Sequence, residues 1–263
     1  MCTTLRSRSR QSPLFASTIR TVPVALSARL TIRTPELVTR IPARVTTLGD
    51  MTKQLKNPLV WIDCEMTGLD VAHDALIEVA VVITDASLTV VDPGIDILIQ
   101  PSEEALNHMD DYVRNMHTQS GLLDELKDGI ASMEEAESIV LDYIKKFVPV
   151  SGRALLAGNT VGMDRLFLSA NMPRVIDHLH YRIIDVSSIK ELAKRWYPCV
   201  YECSPEKHGG HRALADIRES IQELEYYRRA LFPSDQGPSR EDAQKIAGEV
   251  AALGIVEGAT QQN

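Results

Sequence analysis

The stretch Leu59-Val60-Trp61-Ile62-Asp63-Cys64-Glu65-Met66-Thr67-Gly68-Leu69-Asp70 constrains this chain more than any other. Its apolar and β-branched residues read as a buried strand that ends near Gly68. Asp63 and Glu65 interrupt the run at i and i+2, and side chains two apart on a strand share a face. Two adjacent carboxylates in a core strand are costly to bury unless positive charge lies between them. A divalent metal meets that need. From this stretch alone, solvent at the strand end or an Arg or Lys partner meets it as well.

The remaining pattern supplies a framework for that strand. Strands are expected at 58–65, 75–84 and 88–99, each rich in Val and Ile and punctuated by Asp, Gly, Ser and Pro. Their short connections make antiparallel neighbours. Glu78 falls inside the second strand; an edge or solvent-facing position is expected for it, with support of a metal site as the other reading. After Pro101 short helices are expected around 110–113 and 118–127, then an amphipathic helix over 132–147 closed by Pro149. A strand at 154–158 leads through 159–164 into a helix at 165–170. A further strand at 181–186 precedes a helix reaching Trp196, and Gly209-Gly210 precedes a long helix from about Arg212 to Leu231. Strands first adjacent and then interleaved with helices predict an α/β domain of three layers, a mixed central sheet flanked by helices.

Charge is distributed unevenly. Residues 1–50 hold eight arginines, no lysine and only Glu36 and Asp50 as acids, a balance of +6 within a chain of net −8, which leaves −14 for the rest. An arm rich in Arg, Ser and Thr and poor in acids has the composition of a mitochondrial transit peptide, with a disordered basic arm as the bland alternative. Met51 offers a start for a second, untargeted form, cytoplasmic or nuclear. The folded body is then expected over 51–232. Residues 233–263 form a tail that opens in linker chemistry and carries one short amphipathic helix over 241–253. An acidic body is poorly suited to gripping long nucleic acid by phosphate neutralisation. No apolar run approaches the roughly 18 residues that span a bilayer, so no membrane partner is expected. Cys2, Cys64, Cys199 and Cys203 lack both a disulfide framework and zinc-ligand spacing, and reduced, mostly buried thiols are expected.

Three more residues turn the opening pair into a candidate site. Asp164 begins a helix just beyond a strand end, where α/β folds expose functional groups. Asp216 lies on the long helix, and His211 sits where the glycine loop enters it. Four carboxylates from separate segments can hold two Mg²⁺ or Mn²⁺ ions, since hard cations favour oxygen ligands. Two such ions activate water and stabilise the leaving oxygen of a phosphodiester. Histidine, with an unperturbed pKa of about 6.5, suits the role of general base. Each residue taken singly has an ordinary explanation, as helix cap, solvated helix carboxylate or loop histidine; the set and its order carry the argument.

That set resembles the DEDDh superfamily of 3′→5′ exonucleases, with Asp-x-Glu on a first strand, a middle Asp, and His-x4-Asp. Within it the chain resembles the oligoribonuclease family through Trp61 to Asp70, His180-Tyr181-Arg182, Asp185-Val186-Ser187, Lys190-Glu191-Leu192-Ala193 and Asp216-Ile217-Arg218-Glu219-Ser220, in order across about 58–232. The resemblance implies a homodimeric, ribonuclease H-like hydrolase that degrades dinucleotides and other short RNAs to 5′-mononucleotides. It assigns Asp63, Glu65, Asp164 and Asp216 as metal ligands and His211 as general base. It assigns Leu69 as a wedge between the two bases and Tyr112 as an aromatic that stacks on one. His117, Thr160, Arg182 and Ser187 fall where the family caps the 5′ phosphate, and Tyr181 would reach in from the partner subunit. Thr160 stands where Ser is typical and Tyr112 where bacterial members have Trp; both keep the hydroxyl or ring, so altered affinity is expected rather than lost function. The alternative within the superfamily is an exonuclease that trims longer RNA or DNA 3′ ends.

Overall fold

A computed structural model describes residues 55–127, 131–207, 210–232 and 237–252. The arm at 1–50, Met51, Gly209 and the ends of the tail lie outside these described residues. The sheet has the order β3-β2-β1-β4-β5, built from β1 (Leu59–Met66), β2 (Leu76–Thr84), β3 (Ile95–Leu98), β4 (Leu155–Gly158) and β5 (His180–Asp185). Strands β1, β2 and β3 pair antiparallel, as their short connections require, whereas β1, β4 and β5 pair parallel. The strand with the paired carboxylates is therefore central. The carboxyl ends of the three parallel strands point the same way, the edge at which open α/β sheets place their sites.

The pleat divides the interior into two layers. Val60, Ile62 and Cys64 of β1 pack with α4 (Met133–Phe147), α5 (Gly162–Asn171) and α6 (Pro173–His178). Trp61 faces the other way and packs with Leu214, Ile217, Ile221 and Tyr227 of α9 (Ala213–Leu231). Period two puts Asp63 and Glu65 on the Trp61 face, so the carboxylates look toward α9. Trp61 is fully buried, and its indole N–H donates to Thr84 Oγ1 at 3.0 Å. Helix α4 starts at a capping box in which Ser132 and Glu135 satisfy each other's backbone N–H.

Several expectations change. The strand expected over 88–99 is regular only over Ile95–Leu98; residue 90 makes one isolated bridge to Thr84, and Leu88 turns with φ of 64°. Helices α1 (Glu103–His108), α2 (Asp111–Gln119) and α3 (Leu122–Glu125) replace the two short helices expected at 110–113 and 118–127. Both α6 and α8 (Pro198–Glu202) begin on a proline, which preorganises a first turn. Val186 opens α7 (Val186–Trp196) rather than closing β5, because Asp185 accepts from Ser187 N as an N-cap. Helix α10 (Arg240–Ala252) covers most of the helix expected in the tail and buries none of its residues. Cys64 is buried, but Cys199 and Cys203 are exposed, against the expectation of mostly buried thiols. Glu78 is corrected most sharply: it is fully buried on β2, an interior strand, directly opposite Glu65. No described helix is long and apolar enough to cross a membrane.

Candidate active site

Glu65 Oε, His211 and Asp216 each offer a ligand atom within 4.8 Å of the others. Asp164 approaches from α5 and accepts the backbone N–H of Cys64 at 3.0 Å, which ties the start of that helix to β1 between the two strand carboxylates. The four carboxylates feel one another. Desolvation, then the charges of Asp164, Glu65 and Asp216, hold Asp63 well above the ordinary range. Burial raises Glu65 to about 8, with Glu78, Asp216 and Asp164 adding to the effect. Burial raises Asp164 to about 6 against the opposing hydrogen bond from Cys64, and burial raises Asp216 as well. Clustered oxygen donors that repel one another are the chemistry of a divalent-cation site, because only bound positive charge lets all four ionise together.

The strand ends beside the cluster are irregular. A register shift between Glu65 and Met66 breaks the β1–β2 ladder beside the carboxylates. The turn that follows is held by Asp74, which accepts from Thr67 Oγ1 at 3.0 Å and Asp70 N at 2.9 Å. Leu69 rides on that turn and is 68% exposed. Tyr112, at the start of α2, is likewise exposed, so both proposed base contacts are open to a ligand. His117 is not. It is fully buried, with Nε2 2.8 Å from the Met66 carbonyl and Nδ1 3.9 Å from Glu65 Oε2. Burial lowers its pKa, and Nδ1 has no hydrogen-bond partner. The structure thus places His117 in the interior against the Met66 carbonyl and beside Glu65.

Those hydroxyls do converge. Thr160 Oγ1 lies 3.1 Å from Ser187 Oγ, and the backbone N–H of Thr160 donates to Ser187 Oγ and to Asp185 Oδ1, both at 3.0 Å. Thr160 adopts φ of 52°, a left-handed conformation uncommon for a β-branched residue. Ser187 Oγ donates to Asn159 Oδ1, and the Asn159 amide donates to Ser220 Oγ and Glu223 Oε2, so the strand-end loop is bolted to α9. Lys190 and Lys207 both pair with the same Glu223. Two residues later in space, β5 bulges: Leu155 pairs with His180 but Leu156 with Ile183, which pushes Tyr181 and Arg182 out of the ladder. Both are exposed, and the Arg182 guanidinium sits 5.4 Å from the Tyr181 ring centroid.

Asn159, Asp185, Glu223, Asp74, Glu78, Arg212 and Glu125 were not among the candidate residues, apart from Glu78 as an alternative. The only signal available was a lone carboxylate in an apolar strand, since a buried charge needs a partner. An open apolar groove of about 390 Å³, lined by Leu59, Leu88, Ile184, Leu224 and Phe232 among others, starts at the opposite end of β1 and shares no residue with the site.

Fold and site together define a nuclease of the exonuclease class with a ribonuclease H-like fold. The family model described as exonuclease, of the RNase T type, matches residues 60–224. The oligoribonuclease of Leifsonia xyli is 57% identical over 192 residues, 73% of this chain and 92% of that protein. That of Streptomyces griseus is 54% identical over 198 residues, 75% of this chain and 98% of that one. This chain belongs to the oligoribonuclease family. Among solved structures, exonuclease I of E. coli with single-stranded DNA is similar at a TM-score of 0.54 and 13% identity, over 75% of this chain and 45% of that chain. Exonuclease I of Methylocaldum szegediense is similar at 0.51 and 17% identity, over 66% and 41%. This chain spans less than half of either exonuclease I, and at these identities the likeness concerns the fold.

Proposed function

We infer that this protein is a metal-dependent 3′→5′ exoribonuclease that hydrolyses short oligoribonucleotides, dinucleotides above all, to nucleoside 5′-monophosphates. The observation that carries the reading is the grouping of Glu65, Asp216 and His211 within ligand reach of one another at the carboxyl end of the central strand, with Asp164 close enough to Asp63 to add to the effect of burial in raising its pKa. The residues fit a pair of divalent ions, Mg²⁺ or Mn²⁺, since burial first, and for Asp63 and Glu65 the neighbouring carboxylates as well, raises their pKa values, and bound cations would offset that cost. Ions held by these four carboxylates would supply Lewis acidity for the attacking water and for the leaving oxygen.

The remaining chemistry belongs to the chain. His211, exposed beside Glu65 and Asp216, is placed for a ring nitrogen to take a proton from the attacking water. When a terminal 5′ phosphate binds, Thr160 Oγ1 turns its proton from Ser187 Oγ and Ser187 Oγ turns its own from Asn159 Oδ1, so that both donate to phosphate oxygens, and Arg182 adds a charge-assisted bond. Leu69 and Tyr112 contact the bases from the two sides where they stand exposed. A cap at one end and a wedge near the carboxylates leave room for few nucleotides. Length is then selected without a long basic groove, in keeping with an acidic body.

The same reading extends to assembly and address. Tyr181, Leu192, Trp196 and Tyr197 are exposed apolar side chains along β5, α7 and the entry to α8, which supports a homodimer with Tyr181 contributed across the interface. Residues 1–50 act as a mitochondrial leader ahead of a nuclease domain at 51–232 and a tail at 233–263, and initiation at Met51 yields an unimported form; mapping the N-terminal peptides of each cell fraction tests both. The catalytic assignment is tested with Asp164→Ala. Turnover of a diribonucleotide in Mn²⁺ is expected to fall by roughly two to three orders of magnitude, as for removal of a principal electrostatic element, while the protein still folds. Unchanged turnover refutes the assignment.

A further inference from the structure

Glu78 presents a problem that the nuclease reading does not use. It is a fully buried carboxylate at the third position of a nine-residue, otherwise largely apolar strand. Its partner is Arg212, 134 residues away in sequence, whose Nε and Nη2 donate to Glu78 Oε1 at 3.1 and 2.8 Å. The other edge of the guanidinium donates to both oxygens of Glu125, at 3.1 and 2.8 Å. One planar fork thus clamps two carboxylates, a geometry that lysine cannot reproduce.

Arg212 is also the N-cap position of α9, and its side chain makes no cap of its own. The cap arrives from across the sheet instead, because Ala213 N donates to Glu78 Oε2 at 3.1 Å. The start of α9 is thereby fixed to β2 at the residue that faces Glu65 on β1. Immediately before Arg212, His211 takes φ of 46°, a left-handed conformation that a side chain disfavours and that persists only where surroundings enforce it. One turn after Arg212 comes Asp216, whose N–H donates to the Arg212 carbonyl at 3.0 Å.

We propose that Arg212, clamped by Glu78 and Glu125, is a positioning residue that aims His211 and Asp216 at the β1 carboxylates; this rests on the nuclease reading and deepens it. The clamp joins the start of α9 to the strand opposite Glu65 and to α3. Its loss lets the His211–Asp216 segment relax out of its strained conformation. A displacement of about 1 Å at such a site costs on the order of 100-fold in rate. A purely structural ion pair would lower stability without that selectivity. Arg174 offers the comparison: it pairs with Glu137 at 2.6 Å between α6 and α4 and touches no site residue.

The test compares the full chain with Arg212→Ala, Arg212→Lys, Glu125→Gln and Arg174→Ala. It measures kcat and KM on a diribonucleotide and Mn²⁺ affinity by calorimetry. For Arg212→Ala, kcat is expected to fall about 10- to 100-fold with KM within about twofold, and Mn²⁺ affinity to weaken about tenfold. Arg212→Lys and Glu125→Gln are expected to fall between it and wild type, and millimolar guanidinium is expected to restore part of kcat to Arg212→Ala alone. Arg174→Ala lowers the melting temperature and leaves both readouts near wild type. Equal effects from Arg212→Ala and Arg174→Ala, or wild-type kcat and Mn²⁺ affinity in Arg212→Ala, overturn the proposal. If Arg212→Ala does not fold, Arg212→Lys and Glu125→Gln decide on the same readouts. An inactive wild type would refute the nuclease reading separately, and the Mn²⁺ affinities would still decide the role of Arg212.

Discussion

Gly68 owes its place to a neighbour rather than to its backbone angles. A Cβ there would lie 2.3 Å from Asp74 Oδ2, and Asp74 is already engaged by Thr67, Asp70 and His108. The carboxylate cannot withdraw without abandoning the turn that carries Leu69. Gly68→Ala is therefore expected to cost about 1–3 kcal/mol of stability, the usual range for overpacking. It should also raise KM for a dinucleotide more than it lowers kcat, since Leu69 moves and the carboxylates on β1 do not. Thermal unfolding with steady-state kinetics checks this; an unchanged KM would detach Leu69 from substrate binding. At this scale the carboxylate pair is the feature most legible in the sequence. Few residue types can serve, and Asp63 and Glu65 share a face by strand geometry alone. Arg212 and Glu78 were not legible as partners, because their pairing depends on the β1–β2 register and on where α9 begins.

Among the elements, β5 shows how a defect in a ladder becomes a surface. Its two extra residues between the Leu155 and Leu156 pairs are Tyr181 and Arg182, the residues assigned to the partner's site and to the phosphate. The strand was expected from its apolar pattern; the bulge has no signature in a single sequence. Helices α1, α6 and α8 were missed for a related reason, since five or six residues are too few for a 3.6-residue period to declare itself. Helix α4, with 15 residues and a capping box, was legible throughout. If the bulge presents Arg182 to substrate, Arg182→Ala weakens binding of a 5′-phosphorylated dinucleotide about tenfold or more, as for loss of a hydrogen bond to a charged group. Sedimentation should show the variant in the same oligomeric state as the wild type, which the proposed interface makes a dimer. Wild-type affinity by calorimetry would remove Arg182 from the cap, and a monomeric wild type would remove the dimer.

Across the whole molecule the carboxylate cluster links metal, proton and stability. In chelated protein Glu65 keeps its proton to about 8 and Asp164 to about 6, whereas the unfolded chain releases them near 4.5 and 3.8. The folded chain then binds more protons over this window, so its stability falls as pH rises through it. Melting in EDTA is expected to drop between about pH 5 and pH 8 from these groups, and Mn²⁺ to restore more at the upper end, where all four carboxylates are available as ligands. A metal-induced gain that is larger at the acid end would contradict the cluster's assignment as the metal site.

In the proposed function the carboxylates at the end of β1 would hold the metal, while Leu69 on the turn beyond it and the Thr160–Ser187 pair at the neighbouring strand ends would measure length. The most direct test of that reading is the rate at which the purified chain, in Mn²⁺, degrades 5′-phosphorylated RNAs of about two, three, five and ten nucleotides, lengths spanning what a capped site and an open groove would each accept. The highest kcat/KM is expected for the dinucleotide, with a steep fall with length and 5′-mononucleotide products. Equal or rising kcat/KM with length would contradict it and mark the protein as a trimmer of longer strands.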